Sequence, residues 1–248
     1  MKIPRNIFAF LAAAAMVFSA CAASAQTARE FFILGNNAYK SGDYQKAKSC
    51  YEDAIAGGMD GANVRYNLAN AQSKLGEKGG ALLNYKRAVM DAPRMREAAA
   101  NLQMFAKDNS LDDGFGNFAN PLVAELSLTE WTLAAFALFW ASALLFLIPP
   151  MFGKRTAATV FSALICAALF AAAAVSASNW VSFADCAVAL KSDSPLRLSP
   201  APDAPVSAMS AEGQTVKILK KRGEYFYAET ANGKRGWASK KDFAKVGR

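Results

Sequence analysis

The chain contains no histidine. That absence removes Ser-His-Asp and Cys-His nucleophilic arrangements and nearly all catalytic zinc sites, each of which needs an imidazole as base or ligand. Cysteine is scarce as well: there are four, and none forms a CxxC pair. Cys21 lies in an N-terminal apolar run and Cys166 in a later one, which leaves Cys50 and Cys186 in more polar surroundings. Such a set makes neither a disulfide framework nor a metal cluster. No paired carboxylates, phosphate-cradling glycine loop or nucleophile–base pattern stands out, so the sequence reads as non-enzymatic and implies no cofactor. Charged residues amount to only 19% against 53% hydrophobic ones, with a net charge of +8. That balance points to a chain that is partly membrane-embedded and partly soluble.

The apolar material is concentrated in three runs. The first, within residues 1–25, follows Lys2 and Arg5 and ends in Ala23-Ser24-Ala25. A basic start, an apolar centre and an A-x-A-like site predict a secretory signal cleaved before Gln26. An uncleaved anchor, or a lipoprotein lipidated at Cys21 after Phe18-Ser19-Ala20, remain alternatives. The second run, 131–152, and the third, 156–184, carry no charge. Each exceeds the roughly 20 residues that cross the hydrocarbon core as a helix. Pro149-Pro150 is expected to end the first span, and Trp131 and Trp180 to anchor the outer ends at the interface. The tip, 153–155, holds Lys154 and Arg155, whereas the outer flanks hold Asp112, Asp113, Glu125, Glu130 and Asp185. Short basic loops stay cytoplasmic. This predicts an inner-membrane protein with both soluble parts in the bacterial periplasm, where nucleic acid is not an expected partner.

Residues 26–109 contain an internal repeat. Shifted by 34 positions, Leu34 meets Leu68, Asn36 meets Asn70, Lys40 meets Lys74, Gly42 meets Gly76, Ala47 meets Ala81, Tyr51 meets Tyr85 and Ala54 meets Ala88. The segment resembles the tetratricopeptide repeat, a helix–turn–helix unit of that period. The small alanines allow close helix approach, the glycines make the turn and the tyrosines fill the gap to the next unit. A third helix, from Arg94 to Lys107, is expected to cap the stack, and so thin a stack invites a homo-oligomer or a docked partner.

The resemblance implies a peptide-binding groove, with Asn36, Tyr39, Lys40, Asn67, Asn70 and Lys74 as its protein-binding residues. An extended acidic segment would lie across Lys40 and Lys74, its backbone amides held by Asn36 and Asn70. The Asn36/Asn67 pair resembles the carboxylate clamp of some members, but Phe32, Glu97 and Asn101 stand where that clamp has cations. A C-terminal carboxylate ligand is therefore not expected. A merely solvated helix face is the alternative for these polar positions.

An acidic linker, 110–130, precedes the spans, and a different pattern follows them. Residues 186–248 show short β-rich runs divided by proline and glycine, about five strands in all, with Asn232-Gly233 as a hairpin turn whose two centre residues both tolerate positive φ. The segment resembles the bacterial SH3 domain, on Val188/Leu190, Leu196-Arg197, Ser199-Pro200, Glu212-Gly213, Asn232-Gly233 and Gly236-Trp237. Phe226, Trp237 and Phe243 are expected in its core. From Val188 onward twelve cations face six carboxylates, which suits an acidic partner or an anionic head-group surface.

The predicted fold is thus multi-domain: an α-helical tetratricopeptide repeat domain, two transmembrane helices and a small all-β SH3-like barrel. That order of parts resembles the BatE family of the Bacteroides aerotolerance (Bat) system. The resemblance implies a non-catalytic, membrane-anchored scaffold that binds von Willebrand A-domain membrane proteins, associated with a MoxR-type ATPase and with aerotolerance or envelope stress. The alternative is a peptidoglycan-binding envelope sensor or cell-wall hydrolase accessory.

Overall fold

The computed structural model describes residues 26–114, 125–153 and 156–247. The predicted signal segment with Cys21, the basic pair Lys154 and Arg155, and the middle of the acidic linker lie outside the described residues. Seven helices and seven strands are present among those described. The helices are α1 (26–40), α2 (Tyr44–Ala56), α3 (Ala62–Leu75), α4 (Lys78–Asp91), α5 (Arg96–Asp108), α6 (Leu128–Met151) and α7 (Ala157–Ala184). The first five form consecutive antiparallel pairs. Gly42 and Gly76 take φ of +82° and +78°, the left-handed conformation that ends a helix cheaply only in glycine. Ala47, Ala54, Ala81 and Ala88 are fully buried, which lets the paired helices approach closely.

The helices α6 and α7 are long and apolar enough to cross a membrane. They pack antiparallel, with the Ser142 hydroxyl donating to the Ala163 carbonyl at 2.9 Å and the Phe139 and Phe170 rings 5.8 Å apart. Their outward side chains, such as Leu133, Phe136, Phe161 and Leu164, are exposed and apolar, a surface suited to lipid. The first span does not stop before Pro149-Pro150. It runs through both prolines to Met151, and the Phe152 amide closes the last turn on the Pro149 carbonyl at 3.2 Å. Two consecutive prolines remove two backbone donors and crowd the preceding turn, and α6 ends one residue after them.

The strands are β1 (Cys186–Ala189), β2 (Ser194–Arg197), β3 (Val206–Ser210), β4 (Thr215–Arg222), β5 (Tyr225–Thr230), β6 (Arg235–Ser239) and β7 (Phe243–Lys245). They form one antiparallel sheet in the order β3-β2-β6-β5-β4-β1-β7. Alternate residues turn inward, so Ala187, Ala189, Leu196, Val216, Ile218, Phe226, Ala228, Ala238 and Phe243 make its core. Trp237 is not among them; it is half-buried and packs its ring 5.2 Å from that of Tyr227. The β5–β6 turn also differs from the two-residue expectation. The Thr230 amide donates to the Lys234 carbonyl at 2.9 Å, and only Gly233 has a positive φ, of +75°. This is a three-residue loop with glycine at its left-handed position, where Asn232 needs no special backbone.

The largest departure from the sequence reading is that the parts are not beads on a string. One core contains Leu82, Val89 and Leu102 of the helical layer, Trp180 and Phe183 of α7, and Val188 and Val246 of the sheet. Trp180 is 1% exposed, so it is a packing residue here and not an interfacial anchor, while Trp131 is half-buried against the same core. Polar contacts reinforce the junction. The Gly79 amide donates to Glu212 Oε1 at 2.9 Å, and Arg87 Nη2 donates to the Lys245 carbonyl at 2.6 Å. The Gly247 amide donates to the Ala184 carbonyl at 2.9 Å, satisfying the end of α7 with a group from the sheet. The described parts of the acidic linker are docked as well: Arg94 pairs with Glu130 at 2.8 Å and Arg96 with Glu125 at 3.1 Å. Helix α5 therefore shares the covering role with the sheet and α7.

Candidate functional site

The repeat period becomes a hydrogen-bond ladder on the face shared by α1, α3 and α5. Asn36 Oδ1 accepts from the Tyr51 hydroxyl and from Asn67 Nδ2, both at 2.9 Å. Thirty-four residues on, Asn70 Oδ1 accepts from the Tyr85 hydroxyl at 2.6 Å and from Asn101 Nδ2 at 3.3 Å. Each unit thus ties the second helix to the first through tyrosine and ties the first helix of the next unit through asparagine. Helix α5, expected only as a cap, supplies the third asparagine.

Two adjacent cavities open along this ladder. The first, about 290 Å³, is lined by Asn36, Tyr39, Lys40, Tyr51, Asn67 and Asn70. The second, about 280 Å³, is lined by Tyr39, Asn70, Ser73, Lys74, Tyr85, Asn101, Met104, Phe105 and Asp108. The structure therefore brings five of the six sequence-selected residues into one cavity and puts Lys74 in its neighbour. Tyr39 and Asn70 border both. Tyr51, Tyr85 and Asn101 were missed as site residues; the 34-residue recurrence of Tyr51/Tyr85 and Asn67/Asn101 was the available signal.

The electrostatics follow from the ladder. Burial, aided by Tyr39 and Cys50 and opposed by a hydrogen bond from Asn67, pushes the Tyr51 hydroxyl up to about 12. Burial raises Tyr85 and Tyr39 as well. These phenols hold their protons, so Tyr51 and Tyr85 remain donors to the asparagine oxygens. Each asparagine oxygen therefore has both acceptor positions engaged. The Nδ2 groups of Asn36 and Asn70 have no partner among the described residues. This corrects the expected role of the two asparagines: what they offer a ligand is N–H, which holds carbonyl oxygens and not backbone amides. Lys40 and Lys74 are exposed and recur in register beside them. Asp108 is the carboxylate that lines the second cavity.

Elsewhere, Cys186 is not set up as a nucleophile. Burial raises its thiol, Lys86 opposing, and its Sγ donates to the Ser182 carbonyl at 3.2 Å. Among the described residues no group of three or more Cys, Asp or Glu side chains is assembled that could hold a metal ion. No family model matches the chain, and no curated protein matches it.

Proposed function

We propose that the chain is a non-catalytic membrane adaptor whose helical layer is a tetratricopeptide-type groove and whose sheet is an SH3-like barrel. In this reading the spans anchor both in the periplasmic space, and the groove takes an extended, acidic segment of a membrane partner. The observation that carries the reading is the donor character of the groove. The asparagine oxygens are consumed internally, which leaves two amide N–H groups and two lysines in a 34-residue register. A peptide backbone presents carbonyls at regular intervals, and an acidic one adds carboxylates for Lys40 and Lys74. The order of parts resembles BatE of the Bacteroides aerotolerance system, so von Willebrand A-domain membrane proteins of that system are the proposed partners.

The test is Lys40→Glu combined with Lys74→Glu. Both side chains are exposed, so the double variant folds, inserts and melts like the parent. Co-purification of the partner from crosslinked membranes falls at least about tenfold, the loss that roughly one charge-assisted contact supports. Undiminished co-purification rejects the groove. A second reading, peptidoglycan binding, draws on the half-exposed Tyr227–Trp237 ring pair of the barrel. Capture on purified sacculi that is lost on Trp237→Ala would favour it over the adaptor.

A further inference from the structure

A third cavity, about 530 Å³, lies where α7, the segment after α5 and the barrel meet. Its lining is polar and of mixed sign: Asp112 and Glu229, Lys217, and the neutral groups of Asn179, Ser182 and Thr215. Lys217 stands directly opposite Glu229 in the β4–β5 pairing, so both project from one face of the sheet. Glu229 also accepts from Arg235 Nε at 2.9 Å. Asp112 accepts from the Gly114 amide at 2.9 Å and lies 3.9 Å from Lys86 Nζ, which donates to Thr215 Oγ1 at 3.2 Å.

The depth of the cavity relative to the membrane follows from helix length. Helix α7 has 28 residues, and about 20 of them cross the hydrocarbon core at ~1.5 Å per residue. Counted from Ala157, that leaves roughly the last eight beyond the core. Asn179 and Ser182 then stand about 5–9 Å above its edge, at the level of the lipid headgroups. Trp180 and Phe183 are buried in the protein core, so one face of these turns meets protein, while Val181 on the other face stays exposed.

We propose that this cavity binds a zwitterionic phospholipid headgroup carrying a primary ammonium and a phosphodiester, of the phosphoethanolamine type. Asp112 and Glu229 accept from the ammonium, and Lys217 with Asn179 and Ser182 faces the phosphate. A choline headgroup has the same charges but no N–H to donate, and a glycerol headgroup has no cation for the carboxylates. The proposal rests on the spanning reading of α6 and α7 and names the lipid that would sit beside α7.

The experiment uses the full chain in nanodiscs with equal parts of phosphatidylethanolamine, phosphatidylcholine and phosphatidylglycerol, with retained lipid identified by native mass spectrometry. The ethanolamine lipid is enriched about tenfold over the choline lipid, as roughly one charge-assisted hydrogen bond supports. Glu229→Gln erases that discrimination, whereas Lys217→Met lowers retention of the ethanolamine and choline lipids alike. Thermal melting of each variant establishes that it is folded. Equal retention of the three lipids, preference for the glycerol lipid, or a preference that survives both substitutions overturns the proposal. Alkaline carbonate extraction is run in parallel. Release of the protein from membranes would overturn the spanning reading itself, while an integral protein without ethanolamine preference overturns only the headgroup site.

Discussion

The ammonium of Lys86 sits at the centre of the joint between helices and sheet, 1% exposed, 3.2 Å from Thr215 Oγ1 and 5.6 Å from the centroid of the Phe183 ring. Among the described residues its one carboxylate neighbour within ion-pair range, Asp112, is 3.9 Å away and 62% exposed, so the pair returns little of the solvation lost. Burial accordingly lowers the Lys86 pKa, with Asp112, Cys186 and Asp113 opposing. A folded-state pKa below the unfolded one means that the unfolded chain binds the extra proton, so this group destabilises the fold at neutral pH and less so as pH rises. Lys86→Met keeps the aliphatic stem and removes the charge. It raises stability by about 1 kcal/mol or more at neutral pH. The gap between variant and parent narrows as pH climbs toward 10.5, the unfolded lysine value. Thermal melts of both proteins across that range check the sign; a variant that melts lower at pH 7 would mean that the Thr215 and Phe183 contacts outweigh desolvation.

Helix α4 is the element that makes the joint. Its inner face packs on α3 and α5, and its outer face meets the barrel, so Gly79, Ala81 to Lys86, Ala88 and Val89 are all buried. At its first turn the helix comes so close to β1 that a Cβ on Gly79 would collide with the Ala189 carbonyl and the Leu190 Cα, both backbone atoms that cannot turn aside. The glycine is required here by proximity and not by dihedral angle. Gly79→Ala therefore separates α4 from the sheet, at a cost of about 1–3 kcal/mol. Hydrogen exchange should show it: amides of β1 and β7 lose protection while α2 keeps its own. Uniform protection across the chain would mean that α4 and the barrel do not depend on this approach.

For the whole molecule, the decisive arrangement is that Leu128 and Trp131 at the start of α6 and Trp180 and Phe183 at the end of α7 join the same core. A spanning hairpin with both outer ends in one folded unit keeps every soluble part on one side of the bilayer. On the proposed reading, in which the basic Lys154-Arg155 tip is cytoplasmic and the N-terminal run is a secretory signal, that side would be the periplasm. A periplasm-active reporter fused after Arg248, or inserted near Asp112, is expected to be active, and one near Lys154 inactive. The reverse pattern would end the periplasmic adaptor reading. The same arrangement leaves little freedom between α7 and the sheet, because α7 runs into β1 with only Asp185 between them.

The sequence by itself determined the features that depend on residues near one another in the chain. Two uncharged runs longer than a bilayer core had to become long helices, and the 34-residue recurrence of alanine, glycine and tyrosine had to give repeated helix pairs. The polar groove was legible for the same reason, since residues one period apart fall on one face. The ladder within it was half legible: Asn36 and Asn70 could be picked out, but which atom of each amide is used depends on Tyr51, Asn67, Tyr85 and Asn101 converging on the oxygens. The tertiary structure alone decided the joint. Gly79 against Ala189, Arg87 against Lys245 and Leu111 against Gly213 bring together segments about a hundred residues or more apart that share no period. Their complementarity is one of shape and of individual carbonyls, which no local pattern encodes. That is why Trp180 read as a membrane anchor and proved to be core: an apolar residue at a helix end has the same preference for lipid as for protein, and only the neighbour that reaches it first settles which it meets.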